Sequence, residues 1–86
     1  MTFAERFGRN LAKARERMGL TQEDLGFYAD LHRTAVGQLE RGERTARLDT
    51  FVKLANTLRT DPNELLEGLT WHPTEITDGR WAPFRD

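Results

Sequence analysis

Phe3, Phe7, Leu11, Ala14 and Met18 recur at intervals of four, four, three and four, the spacing that puts apolar side chains on one face of a helix, here from about Phe3 to Met18. Gly19 stops that helix. Thr21 then precedes Gln22, Glu23 and Asp24, where a hydroxyl can accept from an orphan backbone N–H and acids favour the positive end of the helix dipole. A short second helix is predicted from Gln22 to Ala29. The segment Ala29-Asp30-Leu31-His32 lacks proline and holds one good turn residue, Asp30, so a tight turn with Asp30 in the left-handed region joins the next helix. That third helix runs from His32 or Arg33 to Arg41, with Val36 and Leu39 inward and Gly42 at its end.

After a basic loop from Glu43 to Arg47, Leu48, Phe51, Val52, Leu54, Ala55 and Leu58 mark a fourth helix. Asp61-Pro62-Asn63-Glu64 signals a fifth start, with a capping aspartate, proline at the first helical position and glutamate three residues after the cap. Leu65, Leu66 and Leu69 give that helix its apolar face, and Gly68 limits it. Five short helices without a strand in residues 1–69 predict an all-α domain. Residues 70–86 differ, with both tryptophans, two of the three prolines and an Asp78-Gly79 pair. They read as an extended C-terminal tail or a small hairpin.

Composition narrows the function. Eighty-six residues fit one domain, and a chain this short has a thin core. Without cysteine there is no disulfide and no thiolate metal site. The longest apolar runs are too short for a membrane span and the first ten residues lack a signal-peptide core, so a cytoplasmic protein without a membrane partner is the expectation. The net charge of −1 hides a split: residues 1–60 carry 11 basic and 8 acidic side chains, net +3, and residues 61–86 carry 2 and 6, net −4. A phosphate-binding face needs only local positive potential. No histidine, serine or carboxylate set has the spacing of a nucleophile with its base, so neither an enzyme nor a cofactor is expected. His32 and His72 have no ligand partners at metal spacing.

The informative pattern lies between Gln22 and Arg41. Leu25, Gly26, Ala29, Leu31, Val36 and Leu39 are the positions a helix-turn-helix must bury or keep small, Gly26 because the two helices cross closely there. His32, Arg33, Thr34, Gly37, Gln38 and Arg41 form an exposed stripe of donors and short side chains such as a major-groove reader carries. Arg33 could fork onto a guanine, or be a solvated charge; Gln38 could read adenine, or be a surface helix former. Thr34 could meet a phosphate or a thymine methyl, or simply start a helix. Gly37 weakens a helix interior, which close approach to DNA or packing would explain. Arg41, Arg44 and Arg47 suit phosphate contacts without sequence information, or a solvated loop; His32 could reach a phosphate from the cap.

LTQEDLGFYADLHRTAVGQLERGER closely resembles the core signature of the Cro and phage-repressor type of helix-turn-helix domain, the XRE family, within a likeness that spans residues 7–69. The resemblance implies a five-helix lambda-repressor-like fold and a homodimer that places the third helix of each subunit in successive major grooves of a near-palindromic operator on double-stranded DNA, as a repressor or autoregulator. Thr21 and Gln22 then fall among the phosphate contacts, Gln22 also bracing the reader helix. Arg33, Thr34 and Gln38 match base-reading positions, and Arg15 with Glu40 matches an inter-helix salt bridge. The chain departs from the family at Asp30, where glycine is usual, and at Thr45-Ala46-Arg47, where asparagine-proline-serine is usual. A different class of function, an antitoxin-like or bridging module, would use the acidic region 61–86 to hold a protein partner. Leu65, Leu66, Leu69, Trp71, Ile76 and Trp81 offer apolar surface that must fold back or meet its copy across a two-fold axis; the dimer is the expectation.

Overall fold

The computed structural model describes residues 1–73 and 79–81. Five helices, α1 (Phe3–Arg17), α2 (Gln22–Tyr28), α3 (Arg33–Glu40), α4 (Leu48–Thr57) and α5 (Pro62–Leu65), precede two short strands, β1 (Trp71–His72) and β2 (Arg80–Trp81). Each helix follows the predicted pattern, and α1, α2 and α3 stop about one residue short of their expected ends. The ends are chemically fixed. Thr2 and Glu5 form a capping box on α1, with the Glu5 N–H donating to Thr2 Oγ1 at 3.1 Å and the Thr2 N–H donating to Glu5 Oε1 at 2.8 Å. Thr21 and Asp24 repeat it on α2 at 3.0 Å in both directions, and Asp61 Oδ1 accepts from the Asn63 N–H at 2.8 Å to start α5 behind Pro62.

The apolar faces meet in one core of Phe7, Leu11, Ala14, Leu25, Ala29, Val36, Leu39, Leu54, Ala55, Leu58 and Leu65. Helix α1 lies against both α3 and α5, and α2 packs on α3. Close backbone approach sets these crossings. A Cβ at Gly26 would lie 2.6 Å from the Leu31 carbonyl oxygen, and one at Gly8 would lie 2.3 Å from that of Leu39, distances no side chain tolerates. The turn between α2 and α3 passes through Asp30 at φ 57°, closed by the Leu31 N–H donating to the Gly26 carbonyl at 2.7 Å. Arg59, at φ 50°, adopts the same left-handed conformation after α4. The buried amide of Asn10 ties α1 to the end of α5 by donating to the carbonyls of Leu65 (3.0 Å) and Glu67 (2.9 Å).

Two expectations need correction. Leu48 and Val52, counted in the apolar pattern of α4, are 78% and 49% exposed; they stand one turn apart on a face the protomer leaves uncovered. Leu65, expected at a dimer interface, is fully buried in the protomer's own core, because α5 is only one turn long and its single inward position closes the bundle against α1 and α4. The tail takes the small-hairpin form that its sequence allowed: β1 and β2 pair antiparallel with Trp71 opposite Trp81 and His72 opposite Arg80. Trp81 packs on Phe3 of its own chain (ring centroids 4.6 Å apart) and edge-on to Trp71 (5.2 Å). The tail therefore folds back on the start of α1, leaving both tryptophans partly exposed. Leu66 is partly exposed and Leu69 packs against the core. Ile76 and Asp78 lie outside the described residues.

Candidate nucleic-acid interface

Helices α2 and α3 place most of the stripe along one open cleft of about 570 Å³, lined by Arg15, Thr21, Gln22, Glu23, Arg33, Thr34, Gly37 and Arg41. Thr21 and Gln22 enter it because the capping box fixes the first turn of α2. Arg33 and Thr34 enter from the first turn of α3, which His32 caps by accepting the Thr34 N–H at Nδ1 (3.1 Å). Arg41 reaches back from the end of α3. Gln38, Arg44 and Arg47 do not line this cleft. Gln38 Oε1 accepts from Arg44 Nη1 at 3.4 Å, so the expected base reader and the loop arginine are neighbours on the surface.

Behind the cleft, Arg15 of α1 grips Glu40 of α3 with both edges of its fork. Arg15 Nε donates to Glu40 Oε2 at 2.6 Å and Nη2 to Oε1 at 3.0 Å, while Nη1 donates to the Leu20 carbonyl at 2.8 Å. Gln22 Nε2 adds a third bond to Glu40, reaching Oε1 at 3.0 Å. The side chains are only 14% and 6% exposed. Hydrogen bonding to Glu40 raises the Arg15 pKa above its ordinary value. A carboxylate on a helix offered to phosphate would repel it, but this one is neutralised and turned inward. Gln22 thus braces the reader helix through its amide nitrogen and keeps its amide oxygen toward the cleft.

The exposed cations of the face each have a polar companion. Arg33 Nη1 lies 3.5 Å from Glu23 Oε2 and Arg47 Nε lies 3.5 Å from Asp49 Oδ1. Arg41 Nε donates to Glu43 Oε2, and that bond raises the Arg41 pKa and lowers that of Glu43. Sequence reasoning missed Glu23, Glu43 and Asp49. Two of the pairs join residues two apart at helix ends and one crosses from α2 to α3, so none follows the i, i+4 rule that makes ion pairs visible in a helical sequence. Such exposed pairs are weak and open readily to a competing phosphate.

A second open cleft of about 480 Å³, lined by Met18, Leu20, Tyr28, Asn56, Thr57 and Arg59, holds a single charge, that of Arg59. No helix among the described residues is long and apolar enough to cross a membrane. The small space between α1 and α5, lined by Asn10, Lys13, Ala14, Arg17, Glu64 and Glu67, is closed by the ion pair of Arg17 Nη2 with Glu64 Oε2 at 2.6 Å.

A helix-turn-helix family model matches residues 11–65. Control protein C.BamHI from Bacillus amyloliquefaciens is 37% identical over 65 residues, covering 74% of this chain and 80% of that protein. The crystal structure of the restriction-modification controller protein C.AhdI from Aeromonas hydrophila superposes with a TM-score of 0.70 at 42% identity, covering 72% of this chain and 94% of that one. The P22 c2 repressor, solved in complex with synthetic operator 9T, matches with a TM-score of 0.67 at 26% identity, over 72% of this chain and 94% of that one. The chain belongs to the helix-turn-helix family, among the DNA-binding transcriptional regulators related to restriction-modification controllers and phage repressors.

Proposed function

We propose that the protein regulates transcription by binding a near-palindromic operator as a homodimer in the cytoplasm, each subunit laying α3 in a major groove. The observation that carries this reading is the cleft between α2 and α3. It gathers Thr21, Gln22, Arg33, Thr34 and Arg41 on one side of the molecule, with the acid of α3 buried behind it. Arg33, Thr34 and Gln38 read base edges. Arg33 has the fork that bonds guanine O6 and N7, and Gln38 the amide that bonds adenine N6 and N7. Thr21, Gln22, His32, Arg41, Arg44 and Arg47 hold phosphates and set the register of α3 without reading sequence.

Reading both half-sites requires two copies related by a two-fold axis, with centres about 34 to 36 Å apart. Leu48 and Val52 supply an apolar face that the protomer leaves uncovered, and a second copy of the chain covers it. Trp81 already has a partner in Phe3, and Trp71 one in Trp81, so they contribute at most the rim of that contact. The likeness to proteins named as restriction-modification controllers supports an operator beside restriction and modification genes, with the protein acting as repressor or autoregulator. Selection of bound sites from a random duplex library tests the reading. It should return a palindromic consensus with half-sites about 10 to 10.5 base pairs apart. Recovery of no consensus, or of a single unpaired half-site, would refute it.

A further inference from the structure

Gly37 lies in the middle of the reader helix, where glycine weakens a helix relative to alanine. The residue is buried, yet no backbone of another helix presses on it. A Cβ built there would instead lie 2.9 Å from Arg41 Nη1, 3.6 Å from Arg41 Cζ and 3.6 Å from Gln22 Oε1. The guanidinium of Arg41 therefore occupies the space of the missing side chain. It is held from its other side by Glu43, which accepts from Nε. Arg41 follows the end of α3 in the αR conformation, so its side chain leans back over the preceding turn, where Gly37 leaves room for the guanidinium to lie flat. Lying across Gly37 brings its charge back by a full turn, into the cleft beside Gln22, Thr21 and Thr34.

We propose that Gly37 is a positioning residue for Arg41: by leaving its Cβ site empty, it lets the guanidinium lie over the reader helix and present its charge inside the cleft between α2 and α3. The ligand is a backbone phosphate of the bound duplex. The contact carries no sequence information, because it involves the cation and not a base edge. This inference rests on Arg41 being a phosphate contact, as proposed above.

The alanine variant separates this role from the alternatives. An alanine at position 37 meets only the far end of a flexible side chain and an amide oxygen at ordinary contact distance, so Gly37→Ala should fold, with an equal or higher melting temperature. Its Arg41 is pushed off the helix. Affinity should fall about three- to tenfold on operator and random duplex alike, and the slope of log K against log salt should shrink by about one, the signature of one lost phosphate contact. Arg41→Ala should give the same losses, and adding Gly37→Ala to it should cost nothing more. Three results would overturn the proposal: full affinity in Gly37→Ala, a markedly lower melting temperature, or a further loss of affinity in the Arg41→Ala background. The last would mean that the glycine serves direct approach of the helix to DNA. If Arg41→Ala itself leaves affinity unchanged, the phosphate role of Arg41 fails and this inference falls with it, whereas a loss in Arg41→Ala without one in Gly37→Ala defeats the inference alone.

Discussion

Replacing Glu40 by alanine should be among the most damaging single changes to the fold, although Glu40 belongs to the reader helix. The carboxylate is 6% exposed and accepts three hydrogen bonds, two from Arg15 and one from Gln22. Its loss leaves the Arg15 guanidinium 14% exposed with the Leu20 carbonyl as its close acceptor and Glu16 at 3.9 Å. Breaking a fully buried pair costs about 3 to 5 kcal/mol. The retained carbonyl bond and residual exposure bring the expectation down to about 2 to 4 kcal/mol. For a domain of this size each kcal/mol moves the melting temperature by roughly 4 to 8 °C, so a fall of about 8 to 32 °C is expected by circular dichroism. The exposed pair Arg17 with Glu64 has an equally short contact, 2.6 Å, but solvated partners, and Arg17→Ala should change the melting temperature little. A cycle of Arg15→Ala, Glu40→Ala and the double variant isolates the coupling. Near 2 kcal/mol is expected; a coupling below about 0.5 kcal/mol would refute the assignment of this pair as the brace between α1 and α3.

On DNA, Arg33→Ala should weaken operator binding by about 1 to 3 kcal/mol and spare random duplex, while Arg44→Ala should weaken both alike and lower the salt slope by about one; titration at several salt concentrations distinguishes them, and equal losses for Arg33→Ala would remove it as a reader. Asp30→Gly and Arg59→Gly each relieve a left-handed backbone that costs a non-glycine residue about 1 kcal/mol or more, offset in part by the freer unfolded chain; urea midpoints equal to or above the parent's are expected, and a clear loss at either would show that its side chain holds something the turn needs. Bonds from the Thr2 and Thr21 backbone N–H groups, and then from their hydroxyls, hold the Glu5 and Asp24 carboxyls below their ordinary pKa values. With the folded pKa depressed, their contribution is present above the carboxylate range and is lost as pH falls below about 4. The Glu5→Ala, Asp24→Ala double variant should therefore show a shallower acid limb in a series of urea melts from pH 2 to 6. Leu48→Glu with Val52→Arg should lower the mass in sedimentation and weaken operator binding, whereas a dimer lost only on truncation after Gly68 would move the interface to the tail.

The helices were legible because their signals are local. A four-four-three-four apolar spacing, a threonine before acids and an aspartate before proline each act within one or two turns, and the structure realises each of them. Gly26 was legible as a crossing point since its neighbours formed a known motif. Gly8 was not, because its partner, the Leu39 carbonyl, is some thirty residues away and nothing near Gly8 announces it. Periodicity also misled at Leu48 and Val52, and the dimer role expected of Leu65 failed although its apolar face was read correctly. An apolar residue at helical spacing reveals which face it shares, but the neighbouring helix determines whether that face is covered, and α5 turned out to be one turn long with its leucine inside. The tail tryptophans show the same limit: their need for a partner was plain, and Trp71 meets Trp81, which in turn meets Phe3 at the opposite end of the chain.

The candidate site could be proposed from residue types but not from a distribution of charge. A chain of net charge −1 is a poor overall match for a phosphate backbone, and counting by segment resolves only part of that difficulty, since eight acids remain in residues 1–60. The structure accounts for the acids of the reading face individually. Glu40 is buried on Arg15 and presents no field to the groove; Glu5 and Asp24 are spent on helix starts; Glu23, Glu43 and Asp49 sit beside Arg33, Arg41 and Arg47. These last three lie within reach of phosphate competition, because exposed pairs contribute little and open easily. On the proposed reading, the free protein carries a nearly neutral face, weakly attractive to DNA in general, whose arginines exchange weak carboxylate partners for phosphates as contacts form. A protein that must distinguish one operator among many competing sequences gains from such a face, because specificity is set by the ratio of specific to non-specific binding and not by affinity alone.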